Sequence, residues 1–275
     1  LAQSAAQVLQ QDGSAASVAA LTDALKKAGN SSTLSSVASV LAQLGTPDAR
    51  AALEEARDTG DPQKRRYARA ALQQIYERSP AFAHIPQGHE LEDANKLDEA
   101  QEQFTQAIQD DPKMPDGYIF RGNLYIRQEK FAEAAPDFDK ALELDPWNSQ
   151  ALTGACVVMV MNGSVPAAAV ARLEKERRNF DEDYIFAYNA ACVYARAAEH
   201  LKKQDYSEER RVQIEEYTKK ALADLKQSVN RGFGKLDWMR KDPDLKTLHE
   251  LPEFRKISKM ESDESQSDDE PAEAP

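Results

Sequence analysis

The sequence has few of the residues from which metal centres and reactive sites are built. It contains two cysteines and four histidines in 275 residues. The histidines are scattered, with no cysteine or carboxylate at ligand spacing, so we expect no metal site. Cys156 and Cys192 fall in predicted helices where small residues recur, which favours two buried thiols over a disulfide or a nucleophile. Two such thiols say little about the redox compartment.

Catalytic sequence motifs are also missing. No nucleophile elbow, zinc-protease, phosphate-loop or kinase pattern occurs, and Gly232-Phe233-Gly234 lacks the third glycine and the preceding strand of a dinucleotide fingerprint. Adjacent carboxylates such as Asp110-Asp111 end helices or fill loops, where exposed acids are ordinary. We therefore predict a protein that is not an enzyme and that binds no cofactor.

Long apolar runs and an excess of basic residues are absent as well. The longest apolar run, Cys156–Met161, is far too short to cross a membrane, and no signal sequence is recognisable. The formal net charge is −12, and the basic clusters, such as Lys64-Arg65-Arg66, are short. This charge argues against a nucleic-acid partner, which needs a basic stripe. A soluble, cytoplasmic protein is the prediction.

No run of Val, Ile and Thr bounded by turn residues is present, so no strand is predicted. Alanine is abundant, together with Leu, Gln, Glu, Lys and Arg, which are the strong helix formers. We predict an all-α fold.

Two copies of one pattern occur at a single fixed offset within residues 81–148. The small residues let two antiparallel helices approach closely, the phenylalanine fills the gap between them, and the proline ends the second helix. The matched pairs are Gly88 and Gly122, Ala100 and Ala134, Phe104 and Phe138, Ala107 and Ala141, and Pro112 and Pro146.

These two copies resemble tetratricopeptide repeats. A third copy begins near Ser149 with Ala168 in register, and its second helix has Arg172 and Lys175 in place of Phe and Ala. A fourth begins near Tyr184 and resumes its second helix at Ala221, Leu225 and Ser228, after an insertion in which Lys202–Val212 should extend the hairpin. We predict four hairpins over residues 80–231, the third of them degenerate.

Residues 232–258 resemble the segment that closes certain tetratricopeptide arrays, and we predict that they cap the last hairpin with Leu245, Leu248, Phe254 and Ile257. Residues 261–275 carry seven acidic groups and no basic one. We predict that residues 259–275 form a disordered acidic tail, because they contain too little apolar surface to offset the entropy of ordering.

The N-terminal part has a weaker and slightly shorter period. Breaks at Asp12-Gly13-Ser14, Gly29-Asn30-Ser31, Gly45-Thr46-Pro47 and Gly60-Asp61-Pro62 divide it into five helical pieces, and Pro47 and Pro62 suit first helical turns. Leu41–Ala49, followed by Asp61-Pro62, Arg65 and Arg66, resembles HEAT-like repeats. We predict HEAT-like hairpins over residues 1–79. The expected whole is a right-handed α-solenoid of HEAT-like and then tetratricopeptide hairpins.

The tetratricopeptide resemblance implies a concave surface lined by the first helix of each hairpin. Positions 2, 5, 9, 12 and 13 of such a helix point the same way. A family subset grips chaperone tails with Lys, Asn and Arg on this surface, and here only Asn123 remains of that set. An apolar or amphipathic peptide fits better. The predicted partner-binding residues are Ile85, His89, Ile119, Asn123, Ile126, Arg127, Val157, Val160, Met161, Tyr188 and Arg196.

The predicted function is that of a non-catalytic scaffold or adaptor that binds a protein or peptide. Two alternatives remain open. Because Leu1 is not an initiator methionine, the chain could be the regulatory or sensor region of a larger enzyme or signalling protein whose catalytic domain lies upstream. It could also be a structural subunit of a larger assembly. The sequence does not settle the oligomeric state or the partner, and the groove residues could be packed by the chain itself.

Overall fold

The computed structural model describes residues 12, 14–163, 166–180 and 183–259. Within these ranges the chain forms fourteen α-helices and three short 3-10 helices, and no described residue lies in a strand. The all-α prediction is confirmed. The predicted helical piece before Asp12 and the predicted acidic tail, apart from Lys259, lie outside the described residues.

The chain divides into two compact units. Unit 1 comprises Leu1–Arg121 with Leu144–Pro146, and unit 2 comprises Gly122–Glu143 with Trp147–Pro275. One dividing point falls inside a helix, Pro115–Arg127. The domain limits drawn from the sequence, after residues 79, 231 and 258, stay predictions.

Unit 1 begins with four described helices, which start and end at the predicted breaks. Thr46 and Asp61 cap two of them, because their side chains accept hydrogen bonds from the backbone N–H groups of Ala49 and Lys64. Pro47 and Pro62 occupy the first helical turns, as predicted. The helices are α1 (Ala15–Lys27), α2 (Ser31–Leu44), α3 (Pro47–Thr59) and α4 (Pro62–Glu77).

A second part of unit 1 is the first of the predicted hairpins, formed by α5 (His84–Asp93) and α6 (Leu97–Asp110) after a 3-10 turn over Pro80–Ala83. A Cβ atom added at Gly88 would lie 2.3 Å from the ring of Phe104. The predicted close approach of the two helices is thus confirmed. It requires glycine at this position because the ring of Phe104 is fully buried.

Two ion pairs join the HEAT-like helices to the Asp-Pro turns that follow the second helices of the repeats. Arg50 on α3 binds Asp111 at 2.9 Å, and Arg69 on α4 binds Asp145 at 2.9 Å. Asp111 and Asp145 directly precede the two matched prolines, Pro112 and Pro146. The same position of the repeat therefore forms an ion pair in both copies, each within unit 1. The sequence patterns did not indicate these pairs.

The remaining helices continue the hairpin order. The division between the units lies in α7, so α8 to α14 belong to unit 2, apart from Leu144 at the end of α8. The helices are α7 (Pro115–Arg127), α8 (Phe131–Leu144), α9 (Ser149–Met161), α10 (Pro166–Glu176), α11 (Tyr184–Lys202), α12 (Glu208–Asn230), α13 (Leu236–Lys241) and α14 (Pro252–Ile257).

Phe138 is the central packing residue of the second hairpin. Its ring has no exposed surface. Cβ atoms added at Gly122 and Gly154 would lie 2.9 Å and 2.2 Å from that ring. Glycines on α7 and α9 therefore let both helices approach one phenylalanine of α8, which fixes the spacing of the first helices.

The turn between the two helices of a hairpin repeats its conformation. Asn95, Glu129 and Gly163 have positive φ angles, of 57°, 58° and 77°. Each is the second residue after the first helix of its hairpin. The left-handed conformation is costly for Glu129, and glycine adopts it freely. The repeat period therefore extends to the third hairpin in the backbone itself.

The second helix of the third hairpin is not degenerate in the way the sequence predicted. Ala168, which the repeat spacing placed in the core, is exposed, whereas Ala169 and Leu173 are fully buried. Helix bounds leave four residues between α9 and α10, against three in the first two hairpins. One extra residue shifts the register, so Leu173, rather than Arg172, takes the phenylalanine position.

The fourth hairpin is long, with α11 and α12 spanning 19 and 23 residues. Its predicted core positions Ala221, Leu225 and Ser228 are fully buried. Lys202 ends α11 and Val212 lies in α12, so the insertion lengthens both helices, as predicted.

The segment after the fourth hairpin covers it. Leu245, Leu248 and Phe254 are fully buried in one apolar cluster with Tyr194 and Leu225. Ile257 packs against that cluster while partly buried. The cap is α13, a 3-10 turn over Pro243–Leu248, and α14.

Candidate partner-binding surface

The first hairpin contributes one buried and one accessible residue to the predicted surface. Ile85 on α5 is 3% exposed and belongs to the core. His89 is half-buried, with its ring edge-on to Phe120 at 4.6 Å between centroids and its Nδ1 3.0 Å from Glu92. Aromatic contacts of this geometry hold the imidazole in place.

Helix α7 carries the most accessible of the predicted residues. Ile119, in unit 1, is 2% exposed and belongs to the core. Asn123 and Arg127, in unit 2, are exposed, and Ile126 beside them is half-buried against the core of unit 2. Asn123 and Arg127, four residues apart, thus place two hydrogen-bond donors on one helical face, and Ile126 lies beside Asn123.

Helix α9 lies inside unit 2 rather than on its surface. Ten of its thirteen residues are buried, among them Val157 and Val160. Met161 at its end is half-buried. Replacing Ile119 or Val160 with aspartate would place a charge in the core. Such a variant would therefore report on folding and not on partner binding.

Helix α11 meets the chain's own cap at the predicted positions. The hydroxyl of Tyr188 donates a hydrogen bond to Asp242 at 2.6 Å, and its ring stacks on Phe233 at 4.2 Å between centroids. Arg196 binds Asp244 at 2.7 Å and Glu199 at 3.0 Å. These two predicted residues therefore already have partners within unit 2.

The eleven predicted residues thus fall into three groups. Ile85, Ile119, Val157 and Val160 support the fold from inside. Tyr188 and Arg196 hold the cap. The residues with accessible side-chain surface are His89, Asn123, Ile126, Arg127 and Met161. Their role in partner binding stays a prediction.

Asp242 and Asp244 were missed as functional candidates. They lie far beyond α11 in the sequence, and no periodicity links the two segments. A signal was present, however: Asp-Pro-Asp combines a proline that starts a helical turn with an aspartate that caps it.

Cys192 on α11 lies beside these two aspartates, and its Sγ is 3.9 Å from the carboxylate of Asp242. Ligand atoms of Cys192, Asp242 and Asp244 lie within 4.8 Å of one another. Burial and the neighbouring carboxylates raise the pKa of the Cys192 thiol well above its usual value, which keeps the sulfur protonated. Because Arg196 also compensates Asp244, the arrangement suits an internal polar network better than a divalent cation.

Asp116, at the second position of α7, is a half-buried acid of unit 1. Burial raises the pKa of its carboxyl to about 6, and Asp145 and Glu77 add to the shift, against a hydrogen bond from Gln73. The carboxyl of an unfolded chain titrates near 3.8. The folded chain therefore holds this proton more tightly, and stability is lost as the pH rises from about 4 through 6.

Replacing Asp116 with asparagine is expected to remove this loss. The rise in pKa corresponds to at most about 3 kcal/mol, so the variant should gain up to that amount over the wild type at pH 7.5 and only about 1 kcal/mol at pH 4.5. Urea unfolding followed by circular dichroism at both pH values measures the difference. The same difference at both pH values would contradict the assignment.

Within the described residues, no helix combines the length and apolar character needed to cross a membrane.

Comparison with known protein families supports the assignment of both repeat types. Residues 85–149 match the tetratricopeptide repeat family, and residues 1–73 match HEAT repeats. Both resemblances drawn from the sequence are confirmed.

Two curated relatives are the peroxisomal targeting signal receptors of Komagataella phaffii (strain GS115 / ATCC 20864) and Komagataella pastoris. Each is 33% identical over 105 residues, which is 36% of this chain. The chain spans only 18% of the length of these receptors.

Solved structures to which the chain is similar include YrrB, described as a tetratricopeptide repeat protein with an unusual peptide-binding site. It is 18% identical, with a TM-score of 0.36 over 67% of this chain and 92% of YrrB. A tetratricopeptide repeat protein of Parabacteroides merdae is 17% identical, with a TM-score of 0.38 over 93% and 99% of the two chains.

Proposed function

Because the chain is a helical-repeat protein in which tetratricopeptide repeats follow HEAT-like repeats, we propose that it is a non-catalytic adaptor for another protein. Stacked repeats of this kind present extended surfaces for protein partners. The finer proposal is that an apolar or amphipathic segment of the partner binds on the first helix of the second hairpin.

The observation that carries this proposal is the surface of α7. Asn123 and Arg127, four residues apart, are exposed on one face of it, and the half-buried Ile126 lies beside Asn123, one helical turn away. An asparagine amide can bond both a peptide N–H and a peptide C=O, and an arginine can bind a carboxylate through two N–H groups. Ile126 supplies apolar contact at the edge of this face. The surface therefore suits an amphipathic segment that places one apolar side chain on Ile126.

The helix that carries these residues is held rigidly. Gly122 precedes Asn123 directly, and a Cβ atom there would lie 2.9 Å from the buried ring of Phe138. A helix fixed by such close packing loses little freedom when a partner binds, which favours affinity. With only a few apolar side chains to bury, we expect a dissociation constant in the micromolar range.

The curated relatives support the general role. By name they are receptors of a peroxisomal targeting signal, and the 33% identity extends over 105 residues. This name supports the proposal only in that a receptor, like an adaptor, binds a partner.

The test is a binding comparison between two variants. Asn123→Ala combined with Arg127→Glu changes the proposed surface, and Asp139→Lys, an exposed position on α8, is the control. Partners are captured from an extract of the cells that make the protein, and the bound segment is mapped and synthesised. Fluorescence anisotropy then gives its affinity for each variant.

We expect the double variant to bind the segment at least about tenfold more weakly, since an exposed hydrogen-bonding pair is lost. The control should stay within about twofold of the wild type, because surface changes away from a site have small effects. Circular dichroism must show equal helicity in all three proteins. Equal affinities for every mapped segment would rule out α7 as the binding surface.

A further inference from the structure

One face of α11 contacts the cap segment through three side chains that are spaced four residues apart. Tyr188, Cys192 and Arg196 stand at i, i+4 and i+8, which places them in one row along the helix. The carboxylate of Asp242 contacts both Tyr188 and Cys192, at 2.6 Å from the hydroxyl of Tyr188 and 3.9 Å from Sγ of Cys192. The carboxylate of Asp244 contacts Arg196, at 2.8 Å from its Nε. The Asp-Pro-Asp turn thus runs along the helix.

The turn presents its two carboxylates in a fixed arrangement. The side chain of Asp242 accepts a hydrogen bond from the backbone N–H of Asp244 at 2.9 Å and so caps the 3-10 turn Pro243–Leu248. Pro243 sets the backbone at the start of that turn. Local structure therefore holds the carboxylate of Asp242 toward α11, and the ion pair with Arg196 holds that of Asp244.

Leucines of the same turn complete the contact. Leu245 and Leu248 are fully buried in the apolar cluster that contains Tyr188 and Cys192. Two carboxylates meet a hydroxyl and a guanidinium, and two leucines enter an apolar surface. These contacts together define a specific pattern, Asp-x-Asp-Leu-x-x-Leu, rather than a general apolar cover.

We infer that this face of α11 is a receptor site for a short acidic segment with that pattern. Residues 242–248 occupy the site within the same chain, and a partner segment of the same chemistry can take their place. This site is separate from the surface proposed on α7, and its test uses no partner of that surface.

The cap is built to be displaced more readily than a hairpin. Its helices α13 and α14 have six residues each, whereas α12 has twenty-three. It follows Gly232, whose φ is +111°, and Gly234, and an added Cβ would meet nothing at either position. Short helices that follow a linker of this kind open locally more readily than a long hairpin does. The Arg196–Asp244 pair is also reachable by water, with side chains 18% and 23% exposed.

Cys192 and Cys156 provide a reporter and its control. Cys192 is 5% exposed beneath Asp242, so its thiol reacts when the cap leaves. Cys156 is fully buried in α9 and reacts only when unit 2 opens more widely. Labelling the full chain with iodoacetamide, with each cysteine followed by mass spectrometry, separates the two events.

The variant Asp244→Ala combined with Leu248→Ala removes one carboxylate and one leucine of the turn. We expect Cys192 to be labelled at least about tenfold faster than in the wild type, with the labelling of Cys156 unchanged. A milder variant, Asp244→Asn, should increase Cys192 labelling less, again without affecting Cys156. Equal acceleration of both cysteines in both variants would overturn the inference, because the cap would then not open separately.

The second arm supplies the segment from outside. A synthetic peptide of residues 241–251, at about millimolar concentration to compete with an intramolecular segment, is added to the double variant. It should restore the protection of Cys192 at least about fivefold, and a peptide with alanine at both aspartates should not. Adding Arg196→Ala to the double variant should abolish the protection. Failure of the natural peptide to slow the labelling of Cys192 would overturn the proposed receptor site.

Discussion

Replacing Phe138 with alanine is expected to lower the free energy of unfolding of unit 2 by about 3–5 kcal/mol, the usual cost of removing a buried phenylalanine ring. The ring is fully buried, and its neighbours Gly122 and Gly154 have no side chains that could move into the space. Both tryptophans, Trp147 and Trp238, lie in unit 2. Urea unfolding followed by tryptophan fluorescence therefore measures the loss in this unit.

The matched control for that experiment is Phe131→Ala. Phe131 lies on the same helix, α8, and is only half-buried, so its loss should cost about 1 kcal/mol. Equal costs at the two positions would contradict the central packing role of Phe138.

The second large effect is expected in the cap. Phe254→Ala removes a fully buried ring from the cluster that joins α14 to α11 and α12, again at a cost of about 3–5 kcal/mol. Because the cap elements are short, the loss should appear first as local opening. Hydrogen exchange of residues 236–258 should accelerate strongly, while exchange in α8 stays as in the wild type.

Leu251→Ala serves as the control for the cap, because Leu251 is only partly buried against the same cluster. We expect a smaller acceleration there. If Phe254→Ala changed exchange in α8 as much as in the cap, the cap would not be a separable element.

The repeat geometry could be predicted from the sequence because it depends on single residues at a fixed period. A glycine followed by a phenylalanine at the spacing of Gly88 and Phe104, and again of Gly122 and Phe138, leaves little choice but a close hairpin. The period failed only in the second helix of the third hairpin, where one extra residue between the helix bounds moved the core from Ala168 to Ala169. Spacing alone cannot reveal such a shift when both positions are alanine.

The candidate surface was predictable only in part. Helical periodicity identified which face of each first helix to consider, and Asn123 and Arg127 are indeed exposed. It could not show what covers that face elsewhere. Asp242 and Asp244 reach α11 from a distant segment, and such contacts depend on tertiary packing. The ion pair between Arg50 and Asp111 could not be predicted for the same reason.

The central claim, that a partner segment lies on α7, is tested most directly by photo-crosslinking. A benzophenone amino acid is placed at residue 123 in one protein and at residue 139, on α8, in another, and each is irradiated with the bound partner segment. We predict a crosslink to the segment from residue 123 and none from residue 139. A crosslink from residue 139 alone, while the segment remains bound, would contradict the account.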